Sequence, residues 1–273
     1  MKHLIFLACL LLAGFANAKT ERVIIKGDHG KLVADLQMPD VMPKGCPIVI
    51  LCHGFTANRN GGLETGIANS LEAQGIASIR FDFNGHGESE GDFVQMTVPN
   101  EIEDAKHVYE WVKADGRFGQ VGIAGHSQGG VVTAMLAGQL GKKAFKGGVV
   151  LLAPAAVLRD DAIRGNPAGQ SGDYGDPQDP PEYVEVWGHH LGRDYVKTAF
   201  WLPIYETAAG YKGRACIIHG TSDRIVPYTY GLRFHQQWKG SEWHLLDHYD
   251  HGFGPHPEEA VKLAVAFFVK QLK

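Results

Sequence analysis

Apolar runs and helix-like periods alternate along most of the chain. Pro47–Cys52 reads Pro-Ile-Val-Ile-Leu-Cys, and Val121–Ala124, Gly147–Leu152 and Ala215–His219 are similarly unbroken. Runs without a polar alternate position suit strands covered on both faces. Arg22–Lys26 and Leu32–Gln37 flank Gly27-Asp28-His29-Gly30 and predict two strands around a turn. Ile76–Phe83 and Trp243–Leu246 add two more strands. Helical spacing is expected over Leu63–Ala73, Asn100–Ala114, Gly130–Leu140, Tyr228–Trp238 and Pro257–Leu272. In Asn100–Ala114 the residues Ile102, Ala105, Val108, Tyr109 and Val112 share one side. Strands alternating with helices imply an α/β fold with a mainly parallel sheet flanked by helices.

The rhythm breaks between the strand ending near Leu152 and the strand starting near Ala215. A connection of about 60 residues is far longer than the usual handful. A structured insertion over residues 155–212, capping one end of the sheet, is the expectation. Trp187, Tyr195, Phe200 and Trp201 fall in it, either as walls of a slot or as the cap's own small core. At the other extreme of the chain, Lys2 and His3 precede an apolar run from Leu4 to Ala13, and Ala16-Asn17-Ala18 resembles a cleavage site. Residues 1–18 therefore read as a secretory signal peptide, with a secreted or periplasmic destination expected, followed by one domain over 19–273. That run is too short for a membrane span.

Composition narrows the function classes. At 44% hydrophobic and 21% charged residues the chain is ordinary for a globular protein. A net charge of −4, with no basic cluster along the sequence, argues against nucleic acid as partner and against attraction to anionic membranes. Cys46, Cys52 and Cys216 read as small buried strand residues; a Cys46–Cys52 disulfide would be awkward on one extended strand.

The most specific chemical signal is Gly125-His126-Ser127-Gln128-Gly129, lying between a buried strand and an Ala-rich helix. A serine at such a sharp turn is strained and projects its hydroxyl clear of the sheet. A hydroxyl needs a base, and the base needs an orienting acid. Asp223 follows the strand Ala215–His219 and is the expected acid, with Asp247 and Asp250 as rivals. His251, followed by Gly252 on a loop after the last strand, is the expected base, ahead of His248 and His256. His86 and His126 read as packing residues. Backbone N–H groups of Phe55 and Gln128 are the expected donors to an oxyanion. No metal-ligand pattern or nucleotide motif appears, so no metal and no cofactor are expected.

These motifs resemble the α/β-hydrolase superfamily: His53-Gly54-Phe55, Arg80-Phe81-Asp82 with Gly85-His86-Gly87-Glu88-Ser89, the serine turn, and the Asp223 and His251 loops. More narrowly the chain looks like the bacterial cinnamoyl/feruloyl esterases, through Leu152–Ala156, Asp160–Asn166, Tyr195 and Leu202–Glu206. The resemblance implies a serine carboxylesterase acting on hydroxycinnamate esters, small molecules derived from plant cell walls. Asp161 and Tyr195 match the cap residues that bind the ring hydroxyl. Ala168 falls near the position of an accompanying Gln, and Gln170 lies close by. An acetyl or short-chain esterase, a lipase-like enzyme, a peptidase or a non-catalytic binding protein are the alternatives. The oligomeric state is left open, a homodimer included.

Overall fold

The computed structural model describes residues 19–166, 176 and 178–273. The signal-peptide reading, Ala168 and Gln170 fall outside the described residues. Eight strands form one sheet in the order β1-β2-β4-β3-β5-β6-β9-β10. They are β1 (Lys19–Lys26), β2 (Lys31–Met38), β3 (Cys46–Cys52), β4 (Ala77–Phe81), β5 (Phe118–His126), β6 (Val149–Leu152), β9 (Ala215–Gly220) and β10 (Glu242–Leu246). β2 runs antiparallel to both β1 and β4, and every pairing from β4 to β10 is parallel.

The unbroken apolar runs have a simple cause. Neighbouring residues on a strand point to opposite faces, and both faces are covered. Ile48 and Ile50 face the layer of α2 (Val98–Ala114), α3 (Gln128–Leu140) and α7 (Tyr228–Gln237), packing with Val108, Leu136 and Phe234. Val49 and Leu51 face α1 (Gly62–Glu72) and α8 (Pro257–Leu272), packing with Ile67, Leu71 and Phe268. Cys46, Cys52 and Cys216 are buried free thiols, as small strand residues should be. Helix α2 begins where the sequence gives it a cap: Thr97 accepts a hydrogen bond from the Asn100 N–H at 3.2 Å, with Pro99 in the first turn.

Between β6 and β9 the chain forms α4 (Val157–Arg164), a hairpin of β7 (Tyr183–Val186) and β8 (His189–Gly192), α5 (Arg193–Trp201) and α6 (Ile204–Ala208). Among the described residues no helix is long and apolar enough to cross a membrane.

One buried acid in this frame has a measurable consequence. Glu64 on α1 is 6% exposed, and burial pushes its carboxyl up to about 7 despite the attraction of Arg80. Its folded-state pKa is raised, so the folded chain holds the proton more tightly. That advantage is complete below the ordinary carboxyl range near pH 4.5 and is lost as pH rises through about 7. At pH 8 ionised Glu64 should cost about 2–4 kcal/mol. Glu64→Gln should therefore raise Tm clearly at pH 8 and little at pH 5. An equal change at both values would contradict this origin.

Candidate active site

The carboxyl ends of the parallel strands point to one edge of the sheet, and the candidate residues follow them. Ser127 comes directly after β5, with φ 55° and ψ −121°. A non-glycine residue held there is strained by about 1–3 kcal/mol. The surrounding bonds hold it in place: Ser127 N–H donates to Leu152 O at 2.9 Å, and Ser127 O accepts from Ala155 N–H at 2.9 Å and Gly130 N–H at 3.0 Å. The turn also needs its glycines. A Cβ on Gly125 would lie 2.1 Å from Gly129 O, and one on Gly129 would lie 2.3 Å from His53 O.

Three side chains remote in sequence meet at this edge. His251 Nδ1 lies 2.7 Å from Asp223 Oδ2, and His251 Nε2 lies 2.8 Å from Ser127 Oγ. A carboxylate only accepts, so Nδ1 carries the proton. Nε2 is then bare and accepts from the serine hydroxyl. The rivals are used elsewhere. Asp250 accepts from Gly252 N–H at 3.0 Å and Gly254 N–H at 2.7 Å. Asp247 accepts from the Thr221 hydroxyl at 3.0 Å. His248 and His256 are exposed and pair with Asp247 and Glu258.

Asp223 is saturated with donors. Its Oδ1 accepts from Ile225 N–H at 3.0 Å and Val226 N–H at 2.8 Å. Its Oδ2 accepts from His251 and from a second imidazole, His219 Nε2 at 3.2 Å. Burial alone would raise this carboxyl, but the hydrogen bonds from His219 and His251 hold it far below the usual range. His219 is fully buried, and its Nε2 also faces Val226 O at 2.9 Å, so the proton sits on Nε2. Sequence reasoning missed His219, although its spacing from Asp223 across the strand-end turn was visible.

His126 and His53 are structural, and their tautomers follow from their partners. His126 Nε2–H donates to His251 O at 2.9 Å, which fixes the loop carrying His251. Burial and the neighbouring His251 push His126 down to about 4, so it stays neutral. His53 Nδ1–H donates to Gly54 O at 2.8 Å, while Nε2 accepts from Phe83 N–H at 3.2 Å. This holds the loop after β3, where Phe55 stands. Gly54 fits closely: a Cβ there would lie 3.1 Å from Ser127 Cβ. Asp82 fastens the next loop, accepting from Arg59 N–H at 2.7 Å and Glu88 N–H at 2.9 Å. It also pairs with the buried Arg59 guanidinium.

A cavity of about 160 Å³ opens onto Ser127 and His251. Gly54, Phe55 and Gln128 line it on the sheet side; Val157, Leu158, Asp161, Trp187 and Tyr195 line it from the segment between β6 and β9. Asp161 and Tyr195 are thus both brought to the pocket. Two of the expected walls are not. Trp201 is 69% exposed, while Phe200 packs against the main core and edge-on to Trp201. On α5 only the side bearing Tyr195, Val196 and Ala199 is buried, so Phe200 and Trp201 turn away.

Gln128 is also engaged through its side chain. Its side-chain amide donates to Glu101 Oε2 at 2.8 Å and accepts from the Tyr195 hydroxyl at 2.7 Å. Burial pushes the Glu101 carboxyl well up. The sequence offered no signal for this link, because Glu101 looks like an ordinary helix acid until α2 and α3 pack.

Comparison with known proteins agrees with this fold. Est1E of Butyrivibrio proteoclasticus, solved with ferulic acid bound, superposes with a TM-score of 0.86 and 28% identity. The match covers 91% of this chain and 98% of that one. The chain is an α/β-hydrolase. Within that fold it resembles the feruloyl esterases. The family model described as serine aminopeptidase, S33, matches residues 43–170 of this α/β-hydrolase. Lysophosphatidylserine lipase ABHD12 of Gallus gallus is 29% identical over 73% of this chain and 49% of its own length. An uncharacterized 31.7 kDa protein of Escherichia coli is 34% identical over 38% of this chain and 37% of its own. The chain thus spans half or less of the length of these curated relatives.

Proposed function

We propose that the protein is a serine carboxylesterase that hydrolyses hydroxycinnamate esters through an acyl-enzyme. The observation that carries the reaction type is the relay Asp223–His251–Ser127, with hydrogen bonds of 2.7 and 2.8 Å. Ser127 Oγ attacks the ester carbonyl as its proton passes to His251 Nε2. The tetrahedral oxyanion is held by the N–H groups of Phe55 and Gln128, the latter at the start of α3, where leading N–H groups have no intrahelical partner. His251 then protonates the leaving alcohol. A water gives its proton to His251 and attacks the acyl carbonyl, and Ser127 leaves with the proton returned. Asp223 holds the imidazole and stabilises its cation. None of these steps needs a metal or cofactor.

The substrate class is supported by pocket chemistry. Val157, Leu158 and Trp187 give the cavity apolar walls that suit a flat ring. Asp161 and Tyr195 place polar atoms among those apolar walls, and a phenol hydroxyl is their proposed partner. The Tyr195 hydroxyl donates to Gln128 Oε1 at 2.7 Å, which fixes its position at the pocket wall. The resemblance to a hydrolase solved with ferulic acid points the same way. A secreted or periplasmic location is part of the proposal; cell fractionation with the full chain tests it.

An ester panel separates the substrate class from the reaction type. Methyl ferulate should be preferred over methyl 3,4-dimethoxycinnamate, which lacks the hydroxyl. Asp161→Ala and Tyr195→Phe should each lower kcat/KM for methyl ferulate by roughly 10–100-fold, the worth of one or two buried hydrogen bonds. Their effect on p-nitrophenyl butyrate should be at most severalfold. Equal losses on both esters would remove the phenol assignment while leaving the esterase intact.

A further inference from the structure

We propose that the amino edge of the sheet, opposite the candidate active site, carries a binding site for a ligand with clustered phosphates. Strands β6, β9 and β10 lie side by side and parallel, so the loops that enter them converge at one edge. Each of these loops is basic. The loop from α3 to β6 brings Lys142, Lys143 and Lys146; the loop from α6 to β9 brings Lys212 and Arg214; the loop from α7 to β10 brings Lys239. Together they line a recess of about 550 Å³ that, among the described residues, no acidic side chain lines.

The charges there are uncompensated. All six side chains belong to exposed residues, and among the described residues none forms an ion pair. The nearby acid Glu242 is already held by Lys270 at 2.9 Å. The whole chain is net negative at −4, yet six of its 26 lysines and arginines gather at one recess. A concave site lined by one sign of charge focuses its field on a counter-ion. The linear sequence hid this cluster, because its members come from three segments that only the sheet brings together.

The kind of cation selects the ligand. Five of the six are lysines, compact point charges that suit a ligand of high charge density rather than one planar bidentate group. Closely spaced phosphates are the natural match. A nucleic-acid strand is disfavoured, because it would want exposed rings to stack on. Phe145, the aromatic residue lining the recess, is buried against Tyr109.

Titration calorimetry with inositol hexakisphosphate tests the site. Binding is expected at low ionic strength and should weaken at least tenfold between about 50 and 200 mM salt, as screened charge pairs do. Lys142→Gln/Lys146→Gln/Lys212→Gln/Lys239→Gln should abolish it, with Tm and hydrolysis of a small soluble ester unchanged. Lys146→Gln and Lys212→Gln alone should each weaken it roughly threefold, which covers a combined variant that folds poorly. Vesicles of phosphatidylcholine with and without phosphatidic acid form the second arm. Co-sedimentation with the acidic vesicles assigns a lipid-borne phosphate; binding of the soluble probe alone assigns a soluble one. No binding of either probe at low salt, binding unaltered in the variants, or oligogalacturonate bound as tightly as inositol hexakisphosphate would overturn the proposal.

Discussion

Ser127→Ala is expected to lower kcat for an activated aryl ester by about 10⁶, in line with removal of the nucleophile in other serine hydrolases. The fold should be kept. Ser127 owes its backbone position to bonds made by its own N–H and C=O with Leu152, Ala155 and Gly130, none of which involves the hydroxyl. Alanine at the same φ of 55° carries the same strain, so Tm should move by only a few degrees. A residual rate about 10³–10⁴ above water should remain, because the oxyanion donors and the pocket are untouched. Turnover near the wild-type level would show that another group attacks.

The second large effect belongs to Asp223→Asn, expected to lower kcat by about 10⁴. The asparagine fits the space, and its carbonyl can still accept from Ile225 N–H and Val226 N–H, which now bond Asp223 Oδ1. Its NH₂ group then takes the place of Oδ2. That position faces His251 Nδ1 at 2.7 Å and His219 Nε2 at 3.2 Å, both of which donate in the native protein. Donor would meet donor. His251 can escape by moving its proton to Nε2, but a protonated Nε2 cannot take the serine proton. His219 has a harder choice, since its buried Nδ1 has no protein partner among the described residues and Nε2 is needed at Val226 O. Asp223→Asn should therefore also lose stability, by about 1–3 kcal/mol for the buried mismatch. Kinetics and denaturant titration check the two parts separately. An unchanged kcat would mean that the tautomer of His251 is set by something else.

Much of this was legible in the sequence, and the reasons are physical. Buried parallel strands declare themselves as apolar runs, so Pro47–Cys52 and Ala215–His219 differ from the observed β3 and β9 by one residue at an end. The serine turn was legible because its glycines are demanded by contacts as short as 2.1 Å. Ser127, Asp223 and His251 could be placed because each follows a strand of a parallel sheet. Features that depend on packing between distant segments were not legible. Glu101 reaches Gln128 only once two helices pack, and Phe200 and Trp201 are aromatic but turned from the pocket by the helix phase of α5. The basic recess is the plainest case: Lys142, Lys143 and Lys146 are neighbours in sequence, but Lys212, Arg214 and Lys239 join them only at the sheet edge.

The most direct test of the relay is covalent capture. A fluorophosphonate reacts with a serine only when a neighbouring base activates it, and peptide mass spectrometry locates the adduct. One adduct per chain is predicted, on the peptide carrying Ser127, absent in Ser127→Ala and slowed by orders of magnitude in His251→Ala. An adduct on a different residue, or native protein that stays unlabelled at concentrations that label other serine hydrolases, would contradict the account.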